Sequence, residues 1–432
     1  MRQIRMIQPT YSERFRCVGP ACEDNCCNSW RVTVDRETYE KYQRLPAGPL
    51  RTLVDEHIHR VPENDDGIFS KVSPRTKEIQ FATIQMLPSS RLCPFLTAEG
   101  FCRIHAELGE EYLGKDCAVY PRAFHTIDNL PETVLDFSCI EVARLVLLDP
   151  HLLQSADASC PPFSWNDAAK SRPSLKAYFW PIRAFSIDLI CNRAYPLWQR
   201  MFLLGTFCRR LDAMARGEVR RDIPAFFRDF SAAVESGTLR ASMETIPADL
   251  ALQLDLVIGI INLRLESHDR LSPRLIESLQ AALRGMNHLP NVPMQNQIAA
   301  YALGWERYAA PFFDEHPYFL ENYLINTVFM YTFPFSNHLY DSTYPLDIAG
   351  TFARLAIQFA LVKGLLIGAA GFYKEEFTTR QAVQAVQTAY KHFEHDPQFL
   401  DKAHALLVSR GLDNAHGLTM LLRNSTSSPK EL

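Results

Sequence analysis

The sequence carries little excess charge of either sign. Its 45 lysine and arginine residues nearly balance 49 aspartate and glutamate residues, which leaves a net charge of −4 over 432 residues. Proteins dedicated to nucleic acids usually present a basic field, so this balance argues against that class. Apolar residues make up 47% of the chain and charged residues 22%, values typical of a globular protein with room for two or three domains.

Long uninterrupted apolar runs are also missing. The N-terminal stretch "MRQIRMIQPTYSERF" has no apolar core of signal-peptide length, so we expect no export. The most apolar later run, residues 351–371, contains Arg354, Gln358 and Lys363. Because a charge at the centre of a bilayer costs about 2.5–3.5 kcal/mol, we predict a buried helix, no membrane insertion and a cytoplasmic location.

Several common cofactor and metal motifs are absent. No glycine-rich GxGxG turn of a Rossmann-type cofactor site is present, and we interpret the glycines of "KGLLIGAAG" (363–371) as sites of close helix packing. A zinc ribbon would show two CxxC pairs, and a ferredoxin would show CxxCxxCxxxC. Neither pattern occurs, and "CEDNCC" also breaks the CxxxCxxC run of radical enzymes.

Cysteine, in contrast, is abundant and unevenly distributed. Eight of the eleven cysteines precede residue 140, and we assign these eight as candidate metal ligands: Cys17, Cys22, Cys26, Cys27, Cys93, Cys102, Cys117 and Cys139. In the reducing cytoplasm such clusters bind metals more often than they form disulfides. An all-thiolate site suits an iron–sulfur cluster, which we favour, or zinc. We interpret Cys160, Cys191 and Cys208 as small buried apolar residues.

Local spacing brings some of these thiols together. Cys22 and Cys26 lie within one turn of each other, and Cys17 is separated from them by the Gly-Pro bend at 19–20. Cys93 and Cys102 flank the turn-like "TAEG". Cys117 follows a short helical segment, and Cys139 lies at a helix start. The histidine in "CRIH" gives a CxxH pair, but we interpret it as a packed or solvated residue.

The remaining pattern predicts a mainly α fold with two parts. We expect a small cysteine-rich metal domain with short strands at 1–149, a linker at 150–176, a large all-helical domain at 177–424 and a frayed tail at 425–432. In the first part, "IFSKVS" and "EIQFATI" predict a hairpin. In the second part, we expect helices over 248–265, over "TTRQAVQAVQTAYKHFEH" and over "PQFLDKAHALLVSRG", which ends at the C-cap Gly411.

Three cysteine-containing segments together resemble the flagellin lysine-N-methylase (FliB) family. They are "FRCVGPACEDNCCNSW", "CPFL…GFCRIHAELGEEYLGKDCAVYPR" and "SCIEVARL", and "ENYLINTVFMYTFPF" (321–335) resembles a second block of that family. The match spans roughly residues 7–140 and 315–375. All eight candidate cysteines match the family pattern, and Trp30 and the "YPR" at 120–122 match it as packing elements.

The resemblance implies transfer of methyl groups from S-adenosylmethionine to surface lysines of flagellin, with an associated [4Fe-4S] cluster. Lysine attacks only as the neutral amine and its ordinary pKa is about 10.4, so such an enzyme must desolvate the amine or supply a base. Direct displacement at the methyl group needs no redox centre. The cluster could therefore be structural, bind the cofactor or take part in radical chemistry.

A segment rich in aromatic residues is the candidate cofactor site. Residues 308–344 contain twelve Phe and Tyr residues, which could surround a sulfonium through cation–π contacts of about 0.5–2 kcal/mol each. We expect most of these rings to form aromatic core around two helices, with Pro334 ending one of them. We assign Glu321, Asn322 and Tyr323 as candidate cofactor-binding residues.

Two other function classes fit the same sequence. The protein could be a non-catalytic metal-binding protein whose helical domain binds a protein partner, with the metal serving to stabilise the fold. It could also be an electron-transfer protein, which would need no cofactor pocket. Affinity for S-adenosylmethionine distinguishes both from a methyltransferase.

Overall fold

The computed structural model describes a mainly helical chain with a few short strands, as predicted. It describes residues 9, 11–28, 32–61, 80–152, 175–219, 222–266, 271–335, 347–394 and 397–424. The predicted tail and most of the predicted linker, along with "IFSKVS" and Trp30, lie outside these ranges.

The described helices and strands are numbered along the chain. The helices are α1 (Tyr11–Arg14), α2 (Arg36–Gln43), α3 (Pro49–His57), α4 (Arg103–Leu108), α5 (Lys115–Val119), α6 (Ile140–Leu147), α7 (Phe179–Cys191), α8 (Leu197–Ala215), α9 (Ile223–Glu235), α10 (Arg240–Glu244), α11 (Leu250–Glu266), α12 (Pro273–Gly285), α13 (Met294–Leu303), α14 (Ala310–Glu315), α15 (Phe319–Met330), α16 (Ile348–Tyr373), α17 (Thr379–Ala389), α18 (Pro397–Ser409) and α19 (Ala415–Met420). The strands are β1 (Val32–Val34), β2 (Ile58–Arg60), β3 (Ala82–Ile84), β4 (Arg122–Ile127) and β5 (Leu130–Leu135).

The chain divides into two compact units. The small unit comprises residues 15–123 and 139–142, and the large unit comprises residues 1–14, 124–138 and 143–432. Most of the β4–β5 hairpin thus groups with the helices of the large unit, although we predicted an all-helical domain beginning only at residue 177.

The small unit is built on a three-stranded antiparallel sheet in the order β1-β3-β2. In its register Ile84 lies opposite both Val32 and Ile58, so one apolar row crosses the sheet. The predicted segment "EIQFATI" supplies β3, the central strand. Asp35 begins α2 by accepting a hydrogen bond from the backbone N–H of Thr38 at 3.2 Å, an N-cap that ends the extended β1 segment.

The three helices predicted in the large unit are confirmed. The first is α11, and the second is α17, which begins with the capping box of Thr378 and Gln381 and continues as a π-helical turn over Tyr390–Glu394. The third is α18, which Gly411 follows in the left-handed conformation at φ +66°. That conformation carries little cost for glycine, which explains why the helix stops there.

Helix α16 lies in the core of the large unit. It is the one helix in the described ranges that is long and apolar enough to cross a membrane, and most of its apolar stretch is buried inside the protein, as predicted. The guanidinium, amide and ammonium side chains of this helix each have a protein partner. Arg354 pairs with Asp401, Gln358 donates to Glu394 at 2.9 Å, and Lys363 donates to backbone carbonyls that follow α19.

The glycines of "KGLLIGAAG" permit close helix packing, as predicted. A Cβ atom added at Gly368 would lie 2.5 Å from the carbonyl oxygen of Ala282 on α12. A Cβ atom added at Gly285 would lie 1.8 Å from the carbonyl oxygen of Gly368. Backbone meets backbone at this crossing, so no rotation of a side chain could relieve the overlap.

We therefore predict that Gly368→Ala lowers the free energy of unfolding by about 3 kcal/mol, because overpacked cores must shift their backbone. Chemical denaturation followed by circular dichroism measures this change.

The matched control is Gly259→Ala on α11, where the new Cβ atom would lie 3.4 Å from a methyl group of Leu406, an ordinary contact. There we expect no loss, since alanine has the higher helix propensity by about 1 kcal/mol. Equal denaturation midpoints for the two variants would contradict the packing argument.

Candidate functional site

All eight predicted metal cysteines belong to the small unit. Cys139 groups with the other seven even though residues 124–138 of the intervening chain belong to the large unit. In the structure these residues are reduced thiols. The fold therefore places the whole predicted set of sulfur donors in one compact unit.

Backbone pairing positions the cysteines around the predicted "TAEG" turn. The N–H of Cys93 donates to the carbonyl of Cys27 at 2.9 Å, which links the early and late parts of the cysteine-rich sequence. Leu96 and Cys102 form an antiparallel bridge, and the N–H of Thr97 donates to the carbonyl of Phe101 at 2.8 Å. The predicted turn between Cys93 and Cys102 is confirmed.

Cys117 lies on α5, and two carboxylates hold that short helix against β1. Asp116 accepts a hydrogen bond from the backbone N–H of Thr33 at 3.2 Å. Asp35 accepts one from the backbone N–H of Lys115 at 3.3 Å. The second bond satisfies a backbone N–H at the helix start, and the two bonds together set the position of Cys117 relative to the sheet.

The predicted bend between Cys17 and Cys22 is also present. Gly19 adopts the left-handed conformation at φ +56°, and its N–H lies 3.4 Å from the Cys17 sulfur. The N–H of Cys22 donates to the Gly19 carbonyl at 3.0 Å. Cys139 directly precedes α6, as predicted. In the "YPR" segment, the Arg122 guanidinium lies 5.5 Å from the centre of the Phe15 ring, which is a packing contact.

The thiols act on one another electrostatically. Burial, together with the nearby thiols of Cys102 and Cys26, raises the pKa of Cys93 to about 11. Burial, together with the thiols of Cys22 and Cys26, raises the pKa of Cys139 to about 12. Cys26 thus lies close enough to influence both the late group and the pair formed by Cys22 and Cys139.

These donors fit a thiolate-binding metal by their chemistry. A cation replaces the protons of such thiols, because metal binding and thiol deprotonation are coupled. Within the ranges that the structure describes, no three His, Cys, Asp or Glu side chains converge in a group that could hold a metal ion. His105 of the CxxH pair is exposed to solvent, in agreement with its interpretation as a solvated residue.

The predicted cofactor residues lie on α15 and point in different directions. The buried carboxylate of Glu321 binds two arginines from the α7–α8 region. Arg193 donates to it through Nε at 3.1 Å and Nη2 at 2.9 Å, and Arg200 donates through Nη1 at 2.8 Å. Arg200 is itself buried, whereas half of the Arg193 side chain is exposed.

Asn322 turns towards the end of α6. Its Nδ2 group donates to the carbonyls of Val146 at 2.9 Å and Asp149 at 2.7 Å. Both hydrogens of the side-chain amide are therefore used by backbone acceptors. The Asn322 side chain thus joins α15 to the end of α6 and the residues after it. Its side-chain oxygen remains available to accept a hydrogen bond.

A cleft of about 280 Å³ opens beside these two residues. Its lining consists of Pro150, His151, Leu152, Cys191, Arg193, Glu321 and Asn322. The structure thus brings together two of the three residues assigned from sequence and adds an arginine and a thiol to them. Burial raises the pKa of Cys191 to about 12, so this thiol is neutral at physiological pH.

Tyr323 points away from the cleft into the core. Its hydroxyl donates to Glu394 at 2.6 Å, and the same carboxylate accepts from Gln358 at 2.9 Å and from the Tyr331 hydroxyl at 3.3 Å. Phe137 stacks on the Tyr323 ring with 5.9 Å between ring centres. Tyr323 therefore joins α15 to the π-helical turn that ends in Glu394.

Most rings of the aromatic segment form core, as predicted. The buried ones include Phe312, Phe319, Tyr323, Phe329 and Phe333. Tyr340 and Tyr344 lie outside the described residues.

Sequence reasoning missed Arg193, Arg200 and Glu394. Each lies far from residues 321–323 along the chain, in segments without a recognisable motif, so only the fold reveals the contacts.

The fold and site define a mainly helical protein with a thiol-rich small unit and a polar cleft in the large unit. The family model of the FliB lysine N-methylase C-terminal domain matches residues 183–421, more than half of the chain. The chain belongs to this family. The matched region contains the cleft residues Arg193, Glu321 and Asn322 but none of the eight cysteines.

Curated relatives agree with this assignment. The lysine-N-methylase of Salmonella typhimurium is 24% identical over 306 residues, which cover 69% of this chain and 71% of the relative. The flagellar biosynthetic protein FliU of Salmonella muenchen is 28% identical over 188 residues, which cover 43% of this chain and 98% of the relative. No solved structure matches the chain.

We predict that Tyr323→Phe lowers the free energy of unfolding by about 1–3 kcal/mol, because it removes a buried donor from the Glu394 carboxylate. Thermal and chemical denaturation measure the change.

Tyr301→Phe on α13 is the matched control. Tyr301 is equally buried, but within the described part of the chain its hydroxyl forms no hydrogen bond, so we expect a smaller loss. A loss at Tyr323 no larger than that at Tyr301 would show that the bond to Glu394 does not hold α15 in place.

Proposed function

We propose that this protein transfers methyl groups from S-adenosylmethionine to surface lysines of flagellin in the cytoplasm. The observation that carries the proposal is the family match over residues 183–421, together with relatives named lysine-N-methylase. The relative named as a flagellar biosynthetic protein supports the choice of flagellin as the substrate.

The reaction forms one N–C bond and breaks one S–C bond. The neutral amine of the lysine attacks the methyl carbon of the sulfonium, S-adenosylhomocysteine leaves and the amine proton passes to a base or to solvent. Because lysine is protonated at neutral pH, with an ordinary pKa of about 10.4, desolvation or a nearby base must first produce the amine.

The cleft beside α15 is the proposed cofactor site. Glu321 and Asn322 line it, and both are held rigidly by the hydrogen bonds that they form. Rigid placement favours binding, since a preorganised site spends less free energy on ordering its side chains. Tyr323 contributes by joining α15 to Glu394 in the core, not by contacting the cofactor.

The eight cysteines of the small unit are the proposed ligands of a [4Fe-4S] cluster, with zinc as the alternative. Support comes from the exclusively sulfur donors and from their shared membership of one compact unit. A bound cluster would supply metal–sulfur cross-links between distant segments and a capacity for electron transfer. The cluster requires four thiolates, so not all eight cysteines need to bind it.

Anaerobically purified protein tests the proposed activity. Incubated with flagellin and S-adenosylmethionine, it should produce methylated lysines that mass spectrometry detects, and omission of the cofactor should abolish them. Metal content without methyl transfer would overturn the proposal. That result would support instead a non-catalytic metal-binding protein whose helical domain binds a protein partner.

Metal and sulfide analysis tests the cluster separately. We expect iron with acid-labile sulfide and a broad brown absorption in the purified protein, and we expect Cys22→Ala and Cys102→Ala each to lower the iron content.

The matched control is Cys208→Ala, which removes a buried thiol from α8 in the large unit and should leave the iron content unchanged. Stoichiometric zinc in a colourless protein would contradict the iron–sulfur assignment and support the zinc alternative.

A further inference from the structure

Arg193 presents an unused edge of its guanidinium group beside the cleft. A guanidinium carries five N–H donors, and the two bonds to Glu321 use Nε and Nη2, the side-on edge. The end-on edge, formed by Nη1 and the second hydrogen of Nη2, forms no hydrogen bond within the described part of the chain. Half of the Arg193 side chain is exposed, and Arg193 is one of the residues that line the cleft.

Glu321 orients Arg193 without cancelling its charge. The same carboxylate also pairs with the buried Arg200 at 2.8 Å, so two cations share one anion. Glu321 is buried behind Arg193 and fixes the plane of its guanidinium group through two bonds. An arginine held in this way offers two parallel N–H groups, the arrangement that binds a carboxylate in bidentate fashion.

The cleft also contains a hydrogen-bond acceptor that could bind a cationic group. The side-chain amide of Asn322 uses its two hydrogens as donors. Its side-chain oxygen, Oδ1, accepts no hydrogen bond from the described residues. This oxygen is a suitable acceptor for an ammonium group.

The size of the cleft limits what it can hold. At about 280 Å³ its volume is just below the range for small-molecule sites, which runs from about 300 to 1,000 Å³. A complete nucleoside sulfonium would extend beyond it. An α-amino acid group matches this cleft, because Arg193 can bind its carboxylate and the side-chain oxygen of Asn322 can accept from its ammonium group.

We propose that Arg193 binds the carboxylate of the amino-acid end of S-adenosylmethionine, with the Asn322 carbonyl oxygen facing the ammonium group of the same ligand. This assignment rests on the proposed function and adds the recognition of one end of the cofactor. Glu321 becomes a positioning residue that holds Arg193, and the sulfonium and adenosine parts lie outside the cleft.

Two ligands and two variants test the assignment by calorimetric titration. S-adenosylhomocysteine carries the amino-acid end and has no methyl group to transfer, whereas 5′-methylthioadenosine lacks the amino-acid end. Arg193→Lys keeps the positive charge and removes the bidentate edge. The matched control is Arg216→Lys, since Arg216 is 52% exposed and pairs with Glu218 through the same two nitrogens, at 2.6 and 3.4 Å.

We expect Arg193→Lys to weaken S-adenosylhomocysteine binding at least about tenfold, because it loses charge-assisted hydrogen bonds. It should leave methylthioadenosine affinity unchanged, and Arg216→Lys should change neither affinity. Unaltered S-adenosylhomocysteine binding by Arg193→Lys, or equal weakening of both ligands, would overturn the inference alone. Absence of binding of both ligands by the unaltered protein would overturn the proposed function and this inference together.

Discussion

Helix α16 carries a guanidinium, an amide and an ammonium group into the core, and each group must find a partner inside the protein. Burial lowers the pKa of Lys363 to about 7, so this ammonium group is costly to keep charged unless oxygen atoms surround it. The carbonyl of Leu422 at 2.7 Å and the side chain of Asn424 meet that requirement. The end of the described chain is thereby held against the central helix.

The need to pair the buried polar groups of α16 also affects the cleft, through a chain of hydrogen bonds. Gln358 of α16 donates to Glu394, and Glu394 accepts in turn from Tyr323 of α15. On that helix the next residues back, Asn322 and Glu321, line the cleft and hold its arginine. A helix whose core face is fixed by a buried carboxylate has little freedom to rotate, so the positions of the cleft residues follow from the packing of the core.

Local features of this fold could be predicted from sequence, whereas contacts between distant segments could not. The capping Thr378, the terminal Gly411 and the glycines of α16 act on their immediate surroundings, so their patterns correctly predicted helix bounds and close packing. The sequence marks Glu321 as a candidate site residue because it could add a polar anchor within an aromatic-rich segment. Its partners Arg193 and Arg200 lie more than a hundred residues away in sequence, and nothing local marks them.

The cysteines show the same distinction between local features and contacts between distant segments. Their spacing predicted the turn between Cys93 and Cys102 and the bend before Cys22, because both depend on a few adjacent residues. The influence of Cys26 on both Cys93 and Cys139 depends on the fold of the whole small unit. Thiols that raise one another's pKa cannot all ionise without a cation among them, since each new thiolate repels the next. Local spacing therefore predicts the turns around these thiols, whereas the influence of one thiol on another follows from the fold of the small unit.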